Sequence, residues 1–322
     1  MGGMVGSSYI NHITEQINSI TADCGPILLF GENINLGSCL SGMARGLQVN
    51  PAGKILNVGN CELTHIGVGL GVMADGGKAV VFIKQLDFLL LAIDQIVNTF
   101  NFLRAFPPQG GLGSFTIYVI VCDQGYQGPQ SSFNAAGDIA SLANIDVFCL
   151  NGSGDVSGVV HGQFVRPGFR VICVSQRLFS MPAFDLQAEA QSPDFSMFKY
   201  RSGKDLTLVC YNFTLREGMR LATELSGFGI EADLFHVNYV PGMDISLLRE
   251  SCARTKNLVL IDDSKSVTKF GYKLSSELRE IGVEFSCLSL FRRECKNHEY
   301  GVTEDQFVPD VDDVRAFLRP NL

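Results

Sequence analysis

Residues 56–77 read LNVGNCELTHIGVGLGVMADGG. An apolar stretch stops at Asn60 and Cys61, a single carboxylate follows at Glu62, and glycines recur at 67, 69, 71, 76 and 77. The run KILNVG (54–59) reads as a strand and residues 62–76 as a glycine-spaced helix, so Glu62 opens a helix just beyond a strand end. Glycines 67, 69 and 71 follow the helix start rather than a strand–helix turn. They therefore suit close helix packing better than a pyrophosphate cradle, with Gly67 and Gly71 on one face that fits a subunit interface.

The same alternation runs outward in both directions. Strands are expected at 26–31, 78–83, 114–122, 145–150 and 168–175, with helices at 9–22, after the loop that follows residue 31, and at 88–106, 133–143 and 154–164. Residues 180–203 lose periodicity, carry two prolines and read as a linker. A second unit follows, with strands at 205–212, 231–238 and 257–263, and a helix in TLREGMRLATELSGFG that ends at Gly227 and Gly229. Short β-branched runs separated by helices mark an α/β fold with a mostly parallel sheet, and 322 residues suit two domains.

Bulk properties narrow the function classes. Hydrophobic residues make up 46% and charged residues 18%, which allows a sizeable core and argues against disorder. The net charge is −8 with no basic stripe, so nucleic acid and anionic membrane are poor partners. The N-terminus lacks a basic region followed by an apolar run, and no stretch reaches the length of a membrane span. Ten cysteines, most inside apolar runs and none in a CxxC pair, fit reduced, buried thiols in a cytoplasmic protein. The five histidines show no metal-ligand spacing, so no metal site is expected on this chain.

In open parallel sheets, ligands collect beyond the carboxyl ends of the strands. That rule selects Glu32, Glu62, Gln85, Asp87 and the stretch from Asp123 to Ser132. No catalytic triad, Walker loop or GxGxxG turn is present among them. Each candidate also has a bland reading. A glutamate at a helix start is favoured by the dipole, a phenylalanine opening an apolar helix suits a core, a lysine after a strand suits solvent, and Glu32 suits a loop.

Taken together, ILLFGEN (27–33), ILNVGNCELTHIGVGLGVMADGG (55–77), KQLDFLLLAIDQIVN (84–98) and GPQSSF (128–133) resemble the beta subunit of thiamine diphosphate-dependent 2-oxoacid dehydrogenases. VNYVPGMD (237–244) and RTKNLVLIDD (254–263) continue the resemblance through the second half, in the same order and spacing. The resemblance implies two parallel-sheet domains: a transketolase-like pyrimidine-binding domain over 1–182, a linker over 183–203, and a transketolase C-terminal-like domain over 204–322. It implies an alpha partner that holds the diphosphate and Mg2+, since MADGG (73–77) lacks the asparagines of the family's G-D-G motif. A heterotetramer of two alpha and two beta chains is then expected, acting on a 2-oxo acid or ketose.

The site residues follow from the same resemblance. Glu62 matches the glutamate that shares a proton with the aminopyrimidine ring, in an apolar site expected to raise its pKa. Phe88 matches the aromatic that packs on that ring, while Glu32 and Gln85 stand near the cofactor. His65, Lys84 and Ser131 are candidates for substrate contact. One position departs from the family: Gln130-Ser131-Ser132-Phe133 replaces a QHSQ loop, and a serine cannot carry a proton at neutral pH as imidazole can. Three functions are therefore weighed: an acyl-transferring decarboxylase subunit, a split transketolase or carboligase subunit, and a non-catalytic stabilising subunit.

Overall fold

The computed structural model describes residues 7–124, 131–292, 307 and 309–318. The described chain folds around two six-stranded sheets. The first contains β1 (Leu28–Gly31), β2 (Lys54–Asn57), β3 (Lys78–Ile83), β4 (Ser114–Val121), β5 (Asp146–Cys149) and β6 (Gly168–Ser175). Its order is β2-β1-β3-β4-β6-β5, and every pairing is parallel. All eight residues of β4 are buried, as a central parallel strand covered by helices on both faces requires.

The second sheet contains β7 (Ala190–Gln191), β8 (Met197–Arg201), β9 (Leu206–Tyr211), β10 (Ala232–Val237), β11 (Asn257–Asp262) and β12 (Ser286–Phe291), in the order β12-β11-β9-β10-β8-β7. β9 to β12 pair in parallel, whereas β8 joins β10 and β7 antiparallel. The stretch read as an aperiodic linker thus contributes the edge strand β7 and its neighbour β8. Strands of two and five residues carry too little pattern to stand out in sequence.

Helix amphipathicity fixes the packing. α1 (Tyr9–Asp23) starts at Ser8, whose side chain accepts from the Asn11 N–H at 3.4 Å, and buries Ile10, Ile13 and Ile17. α2 (Glu62–Ala74) follows β2 and crosses beneath β1 to reach β3. α5 (Ala136–Ala143) and α6 (Ser153–Gln163) serve the far side of the first sheet, and α7 (Leu215–Ser226), α8 (Ser246–Thr255) and α9 (Phe270–Glu280) the second; α10 (Val311–Leu318) packs on α7. No single helix among the described residues is long and apolar enough to cross a membrane.

Two expected helices are not formed as read. Residues 32–46 make successive turns instead of a loop and helix, because Cys39, Leu40 and Ser41 adopt positive φ beside positive-φ Gly37, Gly42 and Gly46. The helix expected over 88–106 breaks into α3 (Leu86–Leu89), a 3-10 turn at Leu90–Ala92, a π turn at Gln95–Thr99 and α4 (Phe100–Ala105). The two halves are bent by 69°. A π turn accounts for such a kink without proline or glycine.

Of the three glycines expected to suit close packing, Gly69 does so within the described chain. A Cβ on Gly69 would sit 2.0 Å from the Phe115 ring of β4, so Gly69 is the glycine that lets α2 press on the sheet. Gly71 has nothing within 4 Å of its would-be Cβ, and Gly67 meets only Gln95 at 3.9 Å. That open face continues through Leu63 and Val68, both 45% exposed, towards Leu90 and Leu91. Of the cysteines, Cys122, Cys149, Cys173, Cys210 and Cys252 are buried thiols, Cys61 is exposed, and no disulfide is formed among the nine described.

Candidate functional site

In the first sheet the chain leaves β1 towards β2 on one side, and leaves β3 towards β4 on the other. The carboxyl ends of β1 and β3 therefore flank a topological switch point, where an open α/β sheet leaves a crevice. A cleft of about 220 Å³ opens there, lined by Glu32, Asn33, Ser38, Leu40, Asn60, Lys84 and Phe88. Glu32 comes from the end of β1, Lys84 from the end of β3, and Phe88 from the half-buried face of α3. Three residues singled out in sequence are thus brought together. The others, Asn33, Ser38, Leu40 and Asn60, come from turns that carried no periodic signal; Asn60 alone could have been found by the strand-end rule.

Glu62 lies two residues beyond Asn60 in the first turn of α2 and is not one of the cleft's lining residues. Its carboxylate is half-buried and takes no hydrogen bond or ion pair from any described residue. The backbone N–H groups and dipole of a thirteen-residue helix favour negative charge at that end. Beside it, the exposed Cys61 thiol contacts Thr64 Oγ1 at 3.1 Å, and that hydrogen bond lowers its pKa.

His65 takes no part in the cleft. Its Nε2 donates to the Gly59 carbonyl at 2.7 Å, and its ring meets Phe30 edge-on at 6.3 Å. It staples the β2–α2 turn from within the core, which sets where α2 begins. Gln85 is turned towards Ser131: the side-chain amide and Ser131 Oγ lie within 3.2 to 3.3 Å. Asp87 Oδ1 accepts from the Phe133 N–H at 3.3 Å, and burial raises the Asp87 pKa despite that bond. Gln130 lies outside the described residues.

The second sheet has a switch point of its own, between β9 and β11. Side chains bond one another across it. Asn212, buried in a left-handed conformation with φ 58°, donates from Nδ2 to Asp263 Oδ1 and to Asn134 Oδ1, each at 2.7 Å. Arg177 reaches Asp263 at 3.2 Å, Asp123 at 3.3 Å and Glu217 at 2.9 Å. Because one guanidinium serves three carboxylates, burial wins at Asp123, and its carboxyl is pushed up to about 6. Next to this network, His236 Nδ1 lies 3.1 Å from Asp155 Oδ2, both side chains fully buried. Backbone bonds in both directions between Val147 and Tyr239, each 3.0 Å, complete the seam between the sheets.

Comparison with known proteins agrees with this architecture. Residues 198–314 match the family model described as transketolase, C-terminal domain. The chain is 23% identical over 316 residues to the mitochondrial pyruvate dehydrogenase E1 component subunit beta of Bos taurus, covering 92% of this chain and 85% of that one. It is 23% identical over 273 residues to the beta subunit of acetoin:2,6-dichlorophenolindophenol oxidoreductase from Cupriavidus necator, covering 80% and 78%. Among solved structures, a split-gene transketolase described as an inactive beta4 tetramer aligns over 98% of both chains, with TM-score 0.69 and 15% identity. The chain is thus an α/β protein of transketolase-like fold whose residues 198–314 match the transketolase C-terminal domain, and it is similar along most of its length to beta subunits of 2-oxoacid dehydrogenases.

Proposed function

We propose that this chain is the beta subunit of a two-subunit thiamine diphosphate-dependent enzyme that decarboxylates a 2-oxo acid and transfers the resulting acyl or aldehyde unit. The observation that carries the reading is the placement of Glu62, an unpartnered carboxylate in the first turn of α2, next to a switch-point cleft walled by Phe88 and Glu32. The donor set suits an aminopyrimidine: a half-buried aromatic face, carboxylates at strand ends, and the polar side chains of Asn33 and Asn60. The cofactor, when bound, supplies an acidic thiazolium carbon able to add to a carbonyl group. Glu62 would share a proton with the pyrimidine ring nitrogen through its carboxylate, and Phe88, which lines the cleft with Leu40, would pack on the ring.

On this reading Mg2+ and the diphosphate are assigned to an alpha partner. The open face of α2 supports such a partner. Leu63 and Val68 are 45% exposed, Leu90 46% and Leu91 64%, an apolar surface beside Glu62 that a partner would cover. The relatives are named as beta subunits, and an alpha–beta heterotetramer is the assembly we infer here.

Ser131 favours a second reading on the same scaffold, a split transketolase or carboligase subunit. Its hydroxyl is engaged with Gln85 and supplies no imidazole for acyl transfer to a lipoyl carrier. The test co-purifies the chain with its alpha partner. Glu62→Gln should lower turnover by roughly 10²- to 10⁴-fold, the range of a lost proton-transfer group, and leave assembly intact. Full activity in Glu62→Gln would overturn the assignment. Acylation of a lipoyl domain by the wild-type complex would reject the carboligase version, and ketol product without such acylation would reject the dehydrogenase version.

A further inference from the structure

The turn at 131–134 is held from two sides. On the first-domain side, Ser131 bonds Gln85, and the Phe133 N–H donates to Asp87. Gln85 caps α3, and α3 carries Phe88, the aromatic wall of the cleft. On the second-domain side, the Lys265 N–H donates to the Asn134 carbonyl at 2.7 Å, and Lys265 Nζ donates to the Ser132 carbonyl at 3.0 Å. Asn134 Nδ2 in turn donates to the Asp263 carbonyl at 3.1 Å. Lys265 follows β11 directly, in a loop anchored by the bonded switch point of the second sheet.

We propose that Lys265 is a positioning residue: reaching from the second domain, it pins the 131–134 turn and thereby sets the Gln85–Phe88 wall against which the cofactor's pyrimidine packs. This rests on the cofactor assignment made above. The chain of contacts is covalent or hydrogen-bonded throughout: Lys265 to Ser132, Ser132 to Ser131, Ser131 to Gln85, and Gln85 into α3. A change in the second domain is therefore transmitted to the cleft without Lys265 touching the ligand.

The charge state of Lys265 should be readable. Burial and the neighbouring Arg292 push its ammonium down to about 8. The groups facing it are Arg292 beyond β12, Cys122 and Asp123 beyond β4, and Asp87 in α3. Cys122 titrates near 12 and Asp123 near 6, so neither changes charge around pH 8. Below about 8 the charged donor grips the Ser132 carbonyl; above it the neutral amine bonds more weakly and the wall loosens.

The experiment is calorimetric titration of thiamine diphosphate with Mg2+ into the complex of this chain with its alpha partner, across neutral to alkaline pH. The wild-type Kd should weaken by about tenfold through an apparent pKa near 8. Lys265→Met should bind weakly at every pH, whereas Lys265→Arg should bind tightly at every pH, since arginine keeps its charge. A wild-type alkaline limb that persists in Lys265→Arg overturns the inference, and so does wild-type affinity in Lys265→Met. If Lys265→Met fails to fold, Lys265→Arg decides. A wild-type complex with no affinity for thiamine diphosphate would overturn the functional reading itself, which keeps the two failures apart.

Discussion

The two sheets repeat one design and use it differently. Each reverses its winding between two neighbouring parallel strands, β1 and β3 in the first sheet, β9 and β11 in the second. At the first reversal the structure leaves a cleft with Glu32, Lys84 and Phe88 on its walls and the unpartnered Glu62 alongside. At the second, Asn212, Asp263, Asn134 and Arg177 bond one another across the reversal. A crevice is thus an opportunity that the fold provides and side chains leave open or bridge. A bonded network ties the two sheets' loops together, while the polar groups of the first cleft stand beside an apolar open face.

That contrast can be broken from either side. After the loss of turnover expected for Glu62→Gln, the largest effect should come at the bonded reversal. Asp263→Ala strands Asn212 and leaves Arg177 short of a buried partner, and should cost about 3–5 kcal/mol of stability in denaturant unfolding. A loss below about 1 kcal/mol, the level of an exposed pair, would mean that the network is not holding the domains.

The inner and outer faces of α2 give a second comparison. Gly69→Ala drives a methyl into the Phe115 ring and should cost about 1–3 kcal/mol, as overpacked cores do. Gly71→Ala meets open space and should stabilise the isolated chain by up to about 1 kcal/mol through helix propensity. If the open face is a partner surface, the same substitution should weaken association with the alpha chain in sedimentation or light scattering. Unchanged association would remove Gly71 from that surface.

A smaller effect concerns pH. The folded-state pKa of Asp123 is raised above its unfolded value, so its contribution to stability is fully present below about pH 4 and is lost as pH rises through about 6. Asp123→Asn should flatten the stability curve in that window relative to wild type. An identical slope in both would show that Asp123 stays ionised throughout.

Sequence patterning made some of this visible and hid the rest for physical reasons. β3 and β6 match their expected bounds of 78–83 and 168–175 to the residue, because strands buried on both faces are continuous apolar runs with sharp polar ends. The π-turn break between Leu90 and Thr99 was invisible, since no proline or glycine marks it. At the cleft, strand-end reasoning found Glu32, and the family resemblance added Phe88 and Lys84. It did not foresee that Gln85 would turn towards Ser131, while His65 serves the core as the bland reading of a packed histidine has it. The same rule applied to the end of β11 would have drawn attention to Asp263 and Lys265, whose contacts with Asn134 and Ser132 span 129 and 133 residues and leave no local trace.

The central claim is that Glu62 activates a cofactor which this chain holds jointly with a partner. Its most direct test is the rate at which the thiazolium carbon of thiamine diphosphate, bound to the alpha–beta complex, exchanges its proton with deuterated solvent. Fast exchange in the wild-type complex, slowed by about 10²-fold or more in Glu62→Gln with the cofactor still bound, is the result expected here. Equal exchange rates in the two complexes would contradict it.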